Sequence, residues 1–400
     1  MEDADNPRGP RGQSPAIPHL PADHVDLLII GGGIMGLWAA VKAERLGIRT
    51  LLVEAGRLGQ GASGGILGAL MSHVPDRWND KKQAQFDSLV ALEDEVTRLE
   101  AETGLSCGYR RSGRLIPLPK PHLRPIALRH QQEAEINWRH DGDPFHWHVL
   151  EASPFAGWPD PAFTEAGIVH DTFAARVSPR HLMAALAAFL GKARHVSLIE
   201  GLQAERIDPV ANRVEFADRP SIGFGHCMIA AGPQSFRLLG PLSPSISVPL
   251  GQPVKGQAAL LKADIDPALP ILFLNGLYVI AHDDGHVAVG STSEEEFDAP
   301  FATDSKLDDL LVRARALVPA LSDADVVERW AGLRPKAIGR EPMVGAHPDH
   351  PRVIALTGGF KVSFGLAHSL ADAALGCITG REHSLPETFT LADHLAVASR

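Results

Sequence analysis

Apolar positions change period several times along this chain, and the changes mark its elements. Val25-Asp26-Leu27-Leu28-Ile29-Ile30 is a short, β-branched run that ends on three glycines. It predicts a strand buried on both faces. Ile34, Leu37 and Val41 follow at helical spacing, Gly47 closes that helix, and Thr50-Leu51-Leu52-Val53 reads as a second strand. A strand–helix–strand unit of this kind implies a parallel pair with a right-handed crossover. Phe86, Leu89, Leu92, Val96 and Leu99 mark one face of a long amphipathic helix. Between Tyr109 and Phe163 the pattern breaks into short strand-like runs among Pro, His and Trp.

Further on, a helix is expected from Pro179 to Leu190, capped by Ser178 with proline at its first position. Val196–Ile199 and Met228–Ile229, the latter running into Ala230-Ala231-Gly232, read as further central strands. Alternating segments at Gln257–Leu261, Leu272–Leu274, Leu277–Ala281 and His286–Gly290 predict an antiparallel sheet. A strand at Val353–Thr357, a glycine-containing loop and a helix around Ala367–Ile378 close the pattern. Parallel α/β material alternating with antiparallel strands argues for two units whose segments interleave along the chain.

Composition narrows the function classes. Of 400 residues, 44% are hydrophobic and 22% charged, which excludes wholesale disorder. The formal net charge of −10 disfavours nucleic acid as a partner. The three cysteines, Cys107, Cys227 and Cys377, lie far apart and follow no metal-ligand spacing. No disulfide framework, zinc site or other metal centre is expected, and a reducing cytoplasm suits the chain. No apolar run is long enough to span a bilayer, and Leu27–Val41 is read as core. Residues 1–23, rich in proline and without periodicity, are read as a flexible arm. His146 and His148 are read as solvated, His73 as a surface histidine, Cys377 as core and Glu294-Glu295-Glu296 as a solvated turn.

Gly31, Gly33 and Gly36 form a GxGxxG that leaves a strand, opens a helix and is followed, 18 residues after Gly36, by Glu54 at the end of the next strand. Gly31 permits the tight turn, Gly33 admits a pyrophosphate, and Gly36 lets helix and sheet pack closely. The helix N-terminus offers free amides and about half a positive charge to the phosphates. Glu54 can accept ribose hydroxyl protons. A dinucleotide is expected here, and NAD and FAD share this fingerprint.

The rest of the chain resembles a family, the FAD-dependent D-amino-acid oxidase superfamily, in particular its glycine oxidase and sarcosine oxidase-like members. The likeness is carried, in order, by Glu54-Ala55-Gly56-Arg57-Leu58-Gly59 with Gly61-Ala62-Ser63-Gly64-Gly65, by Ala230-Ala231-Gly232, by Pro253-Val254-Lys255-Gly256-Gln257, by Asp284 to Thr292, and by Trp330-Ala331-Gly332-Leu333-Arg334-Pro335. It implies an FAD-binding Rossmann-like unit of the glutathione reductase type, interleaved with an antiparallel-sheet substrate unit. Residues 24–80, 165–240 and 330–385 would form the first, residues 81–164 and 241–329 the second, and 386–400 a C-terminal tail.

By resemblance, Ile34, Met35, Glu54, Ala55, Ala62 and Ser63 would contact the ADP half and the pyrophosphate. Gly64, Gly65 and Ile66 would approach the isoalloxazine, Gly232 would lie near the flavin, and Ala204 would meet the adenine through its backbone. Gly359, Phe360, Lys361, Val362, Ser363, Phe364 and Gly365 would form the loop delivering amides to the flavin O2 side. Arg334 would hold a substrate carboxylate, with Lys361 and Tyr278 as further positioning residues. His282, Lys361, Val362, Ser363 and His368 depart from the family's usual residues. The activity implied is transfer of hydride from a small amino acid or N-substituted glycine to flavin N5, giving an imine and then an oxo acid. The electron acceptor would be oxygen, a quinone or another acceptor, and a homo-oligomer or partner subunit stays open. The alternative is a flavin-binding subunit of a heteromeric amine dehydrogenase or oxidase, with little activity alone.

Overall fold

Side chains alternate across Leu27-Leu28-Ile29-Ile30 and all four are buried, so this part of the strand His24–Ile30 is covered on both faces, while His24 and Asp26 at its start are exposed. The computed structural model describes residues 23–400 except 72, 141 and 218. The arm expected over 1–23 therefore lies, apart from Asp23, outside the described residues. The helices are α1 (Ile34–Arg45), α2 (Asp80–Thr103), α3 (Leu123–Asn137), α4 (Pro179–Leu190), α5 (Gln234–Leu239), α6 (Ser305–Leu317), α7 (Ser363–Thr379) and α8 (Leu391–Ala398).

The first sheet runs Val196–Glu200, Thr50–Glu54, His24–Ile30 and Arg219–Ile229, all parallel. Val353–Thr357 joins parallel to the Cys227–Ile229 end of that last strand. Ala204–Asp208 and Arg213–Phe216 add an antiparallel meander to its other half. One face packs Leu27, Ile29, Leu52 and Met228 beneath α1, α2, α4 and α7. The opposite face packs Leu28, Ile30, Leu51 and Val53 with residues of α5 and α8.

The second sheet has the order Asp325–Ala337, Gly251–Lys262, His286–Gly290, Leu277–Ala281, Ile271–Leu274, Arg114–Pro117, Ile168–Asp171 and Trp147–Leu150. Only Ile271–Leu274 with Arg114–Pro117 pairs parallel. One face packs Val279, Val287 and Val289 with α6. On the other, Ile280 and Ala288, with Tyr278 beside them, meet Leu67 and Ala69 of the first unit's loop.

Several expectations need correction. Ile168–Asp171 and Asp325–Ala337 belong to the second sheet, although residues 165–171 and 330–337 were expected in the FAD-binding unit. Helix α2, expected with the substrate unit, buries Phe86, Leu89 and Leu92 in the core beneath the first sheet. The Tyr109–Phe163 stretch contains α3, unannounced because the helix buries only Ala127 and Ala134 and leaves Ile126, Leu128 and Ile136 exposed. Pro125 sits in its first turn, where a missing N–H costs nothing. Ser178 precedes α4 but makes no side-chain cap, whereas Asn79 caps α2 by accepting from Lys82 N at 3.1 Å. The 386–400 tail contains α8, docked through buried His394, whose Nε2 lies 3.1 Å from Pro342 O. Cys377 is exposed. Glu294 is buried, bonded to Gln257 at 2.8 Å and to Lys306 at 2.7 Å.

Candidate active site

A cavity of about 660 Å³ opens at the carboxyl ends of the parallel strands, between the first sheet and the Tyr278 face of the second. Open α/β sheets place ligands at this edge because helix N-termini and flexible turns converge there. Both α1 and α7 begin at its wall.

At the α1 end Gly31 is left-handed, with φ 110°, and a Cβ there would stand 2.4 Å from Ala230 O. Glycine is thus required by both conformation and space. Gly36 does not line the cavity: its Cβ would lie 1.9 Å from Gly31 O, so its role is helix–strand packing. Glu54 accepts from Gly32 N at 2.7 Å and from Gly56 N at 2.8 Å, one amide on each oxygen. Each oxygen keeps a further lone pair for a ligand hydroxyl. Ser63 Oγ accepts from Ile34 N at 2.9 Å, tying the second glycine loop to the first turn of α1. The other first-turn amides lack intrahelical partners by geometry.

Of the residues expected at the cofactor, Gly31, Gly33, Ile34, Met35, Glu54, Ala55, Ala62, Ser63, Gly65 and Ile66 line the cavity. So do Ala204, Gly232 and the whole run Gly359–Gly365. Gly64 does not, since a Cβ there would meet Gly59 O at 2.6 Å; it serves the turn, and its own carbonyl accepts from Arg180 at 2.9 Å. Phe360 is held at φ 43°, which bends the loop into α7. Arg237, on α5, also lines the cavity and was missed; its nearest sequence signal is its place five residues past Gly232.

Arg334, Tyr278 and Lys361 all line the same cavity. Arg334 lies in the long strand Asp325–Ala337, donates from one guanidinium nitrogen to Thr292 O at 3.1 Å, and forms no ion pair among the described residues. Burial pushes its pKa below the ordinary arginine value, with Tyr278 and Glu294 opposing. Burial raises the Tyr278 phenol, keeping it a hydrogen-bond donor. Lys361 Nζ stands 5.4 Å from the Phe360 ring centre, and its pKa is lowered by burial and then by Arg334.

His73, expected at the surface, lines the cavity. His282 does not; it is buried behind the loop, its Nε2 3.2 Å from Ile66 O. His368 is buried within α7, its ring 6.0 Å from that of Trp38. The His146 and His148 rings stack at 4.8 Å, and no metal-binding cluster occurs among the described residues.

The cavity suits an extended dinucleotide. A Cβ at Gly61 or Gly232 would meet nothing within 4 Å, so the wall is open there, and helix N-termini reach it at two places. A family model described as DAO, FAD dependent oxidoreductase, matches residues 26–373. The chain belongs to this family. Its cofactor is FAD, and it is an oxidoreductase of the D-amino-acid oxidase superfamily, glycine oxidase-like.

Within that family, a glycine oxidase of Pseudomonas aeruginosa is 29% identical over 374 residues, covering 89% of this chain and 95% of the relative. A glycine oxidase of Geobacillus kaustophilus is 27% identical over 348 residues, covering 84% and 88%. The crystal structure of glycine oxidase from Geobacillus kaustophilus superposes with TM-score 0.79 at 22% identity, covering 92% of this chain and 98% of that one. Iminodiacetate oxidase from Chelativorans gives TM-score 0.79 at 21% identity, covering 91% and 98%. These structures share the fold expected from the DAO family: a Rossmann-like FAD unit joined to an antiparallel sheet. No helix among the described residues is long and apolar enough to cross a membrane.

Proposed function

We propose that this chain oxidises the C–N bond of a small amino acid or N-substituted glycine to an imine, which water hydrolyses to an oxo acid and an amine. The observation that carries this reading is Arg334, a cation in the cofactor cavity with no carboxylate of its own among the described residues. A guanidinium binds a carboxylate through two parallel hydrogen bonds, fixing orientation as well as charge. Tyr278 supplies a neutral donor to the same group, and Lys361 adds a point charge. FAD, when bound, supplies the acceptor for the substrate's hydride.

The protein's own contribution is positioning and electrostatics. Two cations beside the substrate lower the pKa of its ammonium, favouring the neutral amine from which hydride leaves. The α7 N-terminus brings amides and partial positive charge to the cavity wall, and would stabilise negative charge on a reduced flavin held there. Isoleucine, leucine and phenylalanine in the wall limit water. Residues at the α1 end (Glu54, Ser63 and Ala204) would hold the adenosine half. Oxygen or a quinone would take the electrons, in the cytoplasmic setting expected from cysteine usage.

The test is an anaerobic screen of the yellow protein against amino acids, glycine, sarcosine and cyclic imino acids. Bleaching with stoichiometric oxo acid is expected. A stable partner co-purifying, with no bleaching by any amine, would instead favour the flavin-binding subunit.

A further inference from the structure

Beside the main cavity lies a smaller chamber of about 180 Å³, walled by His73, Lys81, Gln85, Arg340, Glu341 and Lys361 among others. It adjoins the main cavity, because Lys361, His73 and Gln85 line both. At about 30 Å³ per water, the chamber holds roughly six waters, enough for a short polar arm. Its charge is one-sided. The single carboxylate, Glu341, is bound to Lys81. Neither Lys361 nor Arg340 forms an ion pair among the described residues, and the Lys361 ammonium stands 5.4 Å from the centre of the Phe360 ring.

The site therefore offers two anion positions, Arg334 in the main cavity and Lys361 with Arg340 at the chamber. Lys361 borders both spaces, but Arg334 borders only the main cavity and Arg340 only the chamber, so one carboxylate cannot pair with both arginines. Resting on the amino-acid oxidase reading above, we propose that the preferred substrate carries a second carboxylate: a dicarboxylic amino acid, or an amino acid N-substituted with a carboxyalkyl group. Arg334 grips the carboxylate next to the reacting carbon, and the chamber at Lys361 receives the distal one. A lysine suits this position because a point charge on a flexible stem accepts arms of different length.

Binding needs no turnover, so the test is a titration of the flavin-loaded protein, read by flavin spectral change and by calorimetry. The probes are succinate and glutarate against propionate and butyrate, in wild type, Lys361→Met and Arg340→Ala. The dicarboxylates should bind at least about tenfold tighter than their monocarboxylate partners (an extra charged contact), and this ratio should collapse in Lys361→Met and shrink in Arg340→Ala. Equal affinity for both classes in wild type overturns the proposal, whatever the variants do. A dicarboxylate preference that survives in Lys361→Met, with flavin retained, overturns the assignment to this chamber. In parallel, anaerobic bleaching by glycine or alanine with no gain for aspartate, glutamate or N-carboxymethyl amino acids sinks the second-carboxylate inference and leaves the oxidase reading standing. Failure of every amine to bleach the flavin removes both.

Discussion

Gly256 lies directly beneath the guanidinium of Arg334: a Cβ at position 256 would stand 2.0 Å from its nearest nitrogen. The two residues sit on neighbouring antiparallel strands, where Val254 pairs with Arg334 and Gly256 with Gly332. The arginine reaches the cavity by crossing a position on the adjacent strand that has no side chain.

Gly256→Ala should therefore displace the guanidinium without touching the cofactor. The expected loss is on the order of 10- to 100-fold in apparent substrate affinity, the worth of a charge-assisted hydrogen bond of about 1.5–3 kcal/mol. Flavin content per protein should be unchanged. Steady-state kinetics together with the visible spectrum checks both parts, and an unaltered KM contradicts the account.

Glu54→Ala leaves the amides of Gly32 and Gly56 without their 2.7 and 2.8 Å acceptor. Removing an acceptor from partly buried amides costs about 1–3 kcal/mol. The variant should unfold at lower temperature and be purified with less flavin. Full flavin occupancy in Glu54→Ala would show that the carboxylate serves the turn alone.

His368 supplies a pH dependence. Burial, aided by Lys42 and opposed by Glu95, lowers its pKa from 6.5 to about 3. The native imidazole is thus neutral where the unfolded one is charged, and the unfolded chain binds the extra proton between those values. Stability is fully retained above pH 6.5 and is lost as pH falls toward 3, with a limiting slope of about 1.4 kcal/mol per pH unit from this one group. In His368→Gln the acid limb of a denaturation series should flatten. An unchanged slope would mean that the lowered carboxylates, such as Asp304 at about 2, dominate that limb.

The sequence made the strand–turn–helix of Val25 to Val41 legible because a both-faces-buried strand ending in glycine has few alternatives. Glu54, Arg334 and the 359–365 loop were legible through family motifs. What escaped was decided by tertiary context. Helix α3 carries too narrow an apolar face to announce itself, since Ile126 and Ile136 remain exposed. Glu294 reads as one of three solvated glutamates until the strand beside it places Gln257 within 2.8 Å. His73 has no local signature at all; it enters the cavity because Gln85 of α2 accepts from its backbone amide at 2.9 Å. The chamber at Lys361 is likewise a product of segments more than two hundred residues apart, Lys81 and Glu341 among them.

One measurement bears most directly on the claim that cofactor and substrate carboxylate share this cavity: anaerobic rapid-mixing of an amino acid that bleaches the flavin, with wild type and Arg334→Ala at equal flavin content. The account predicts that Arg334→Ala needs on the order of 100-fold more substrate to reach the same rate of flavin reduction. Equal concentration dependence in the two proteins would contradict it.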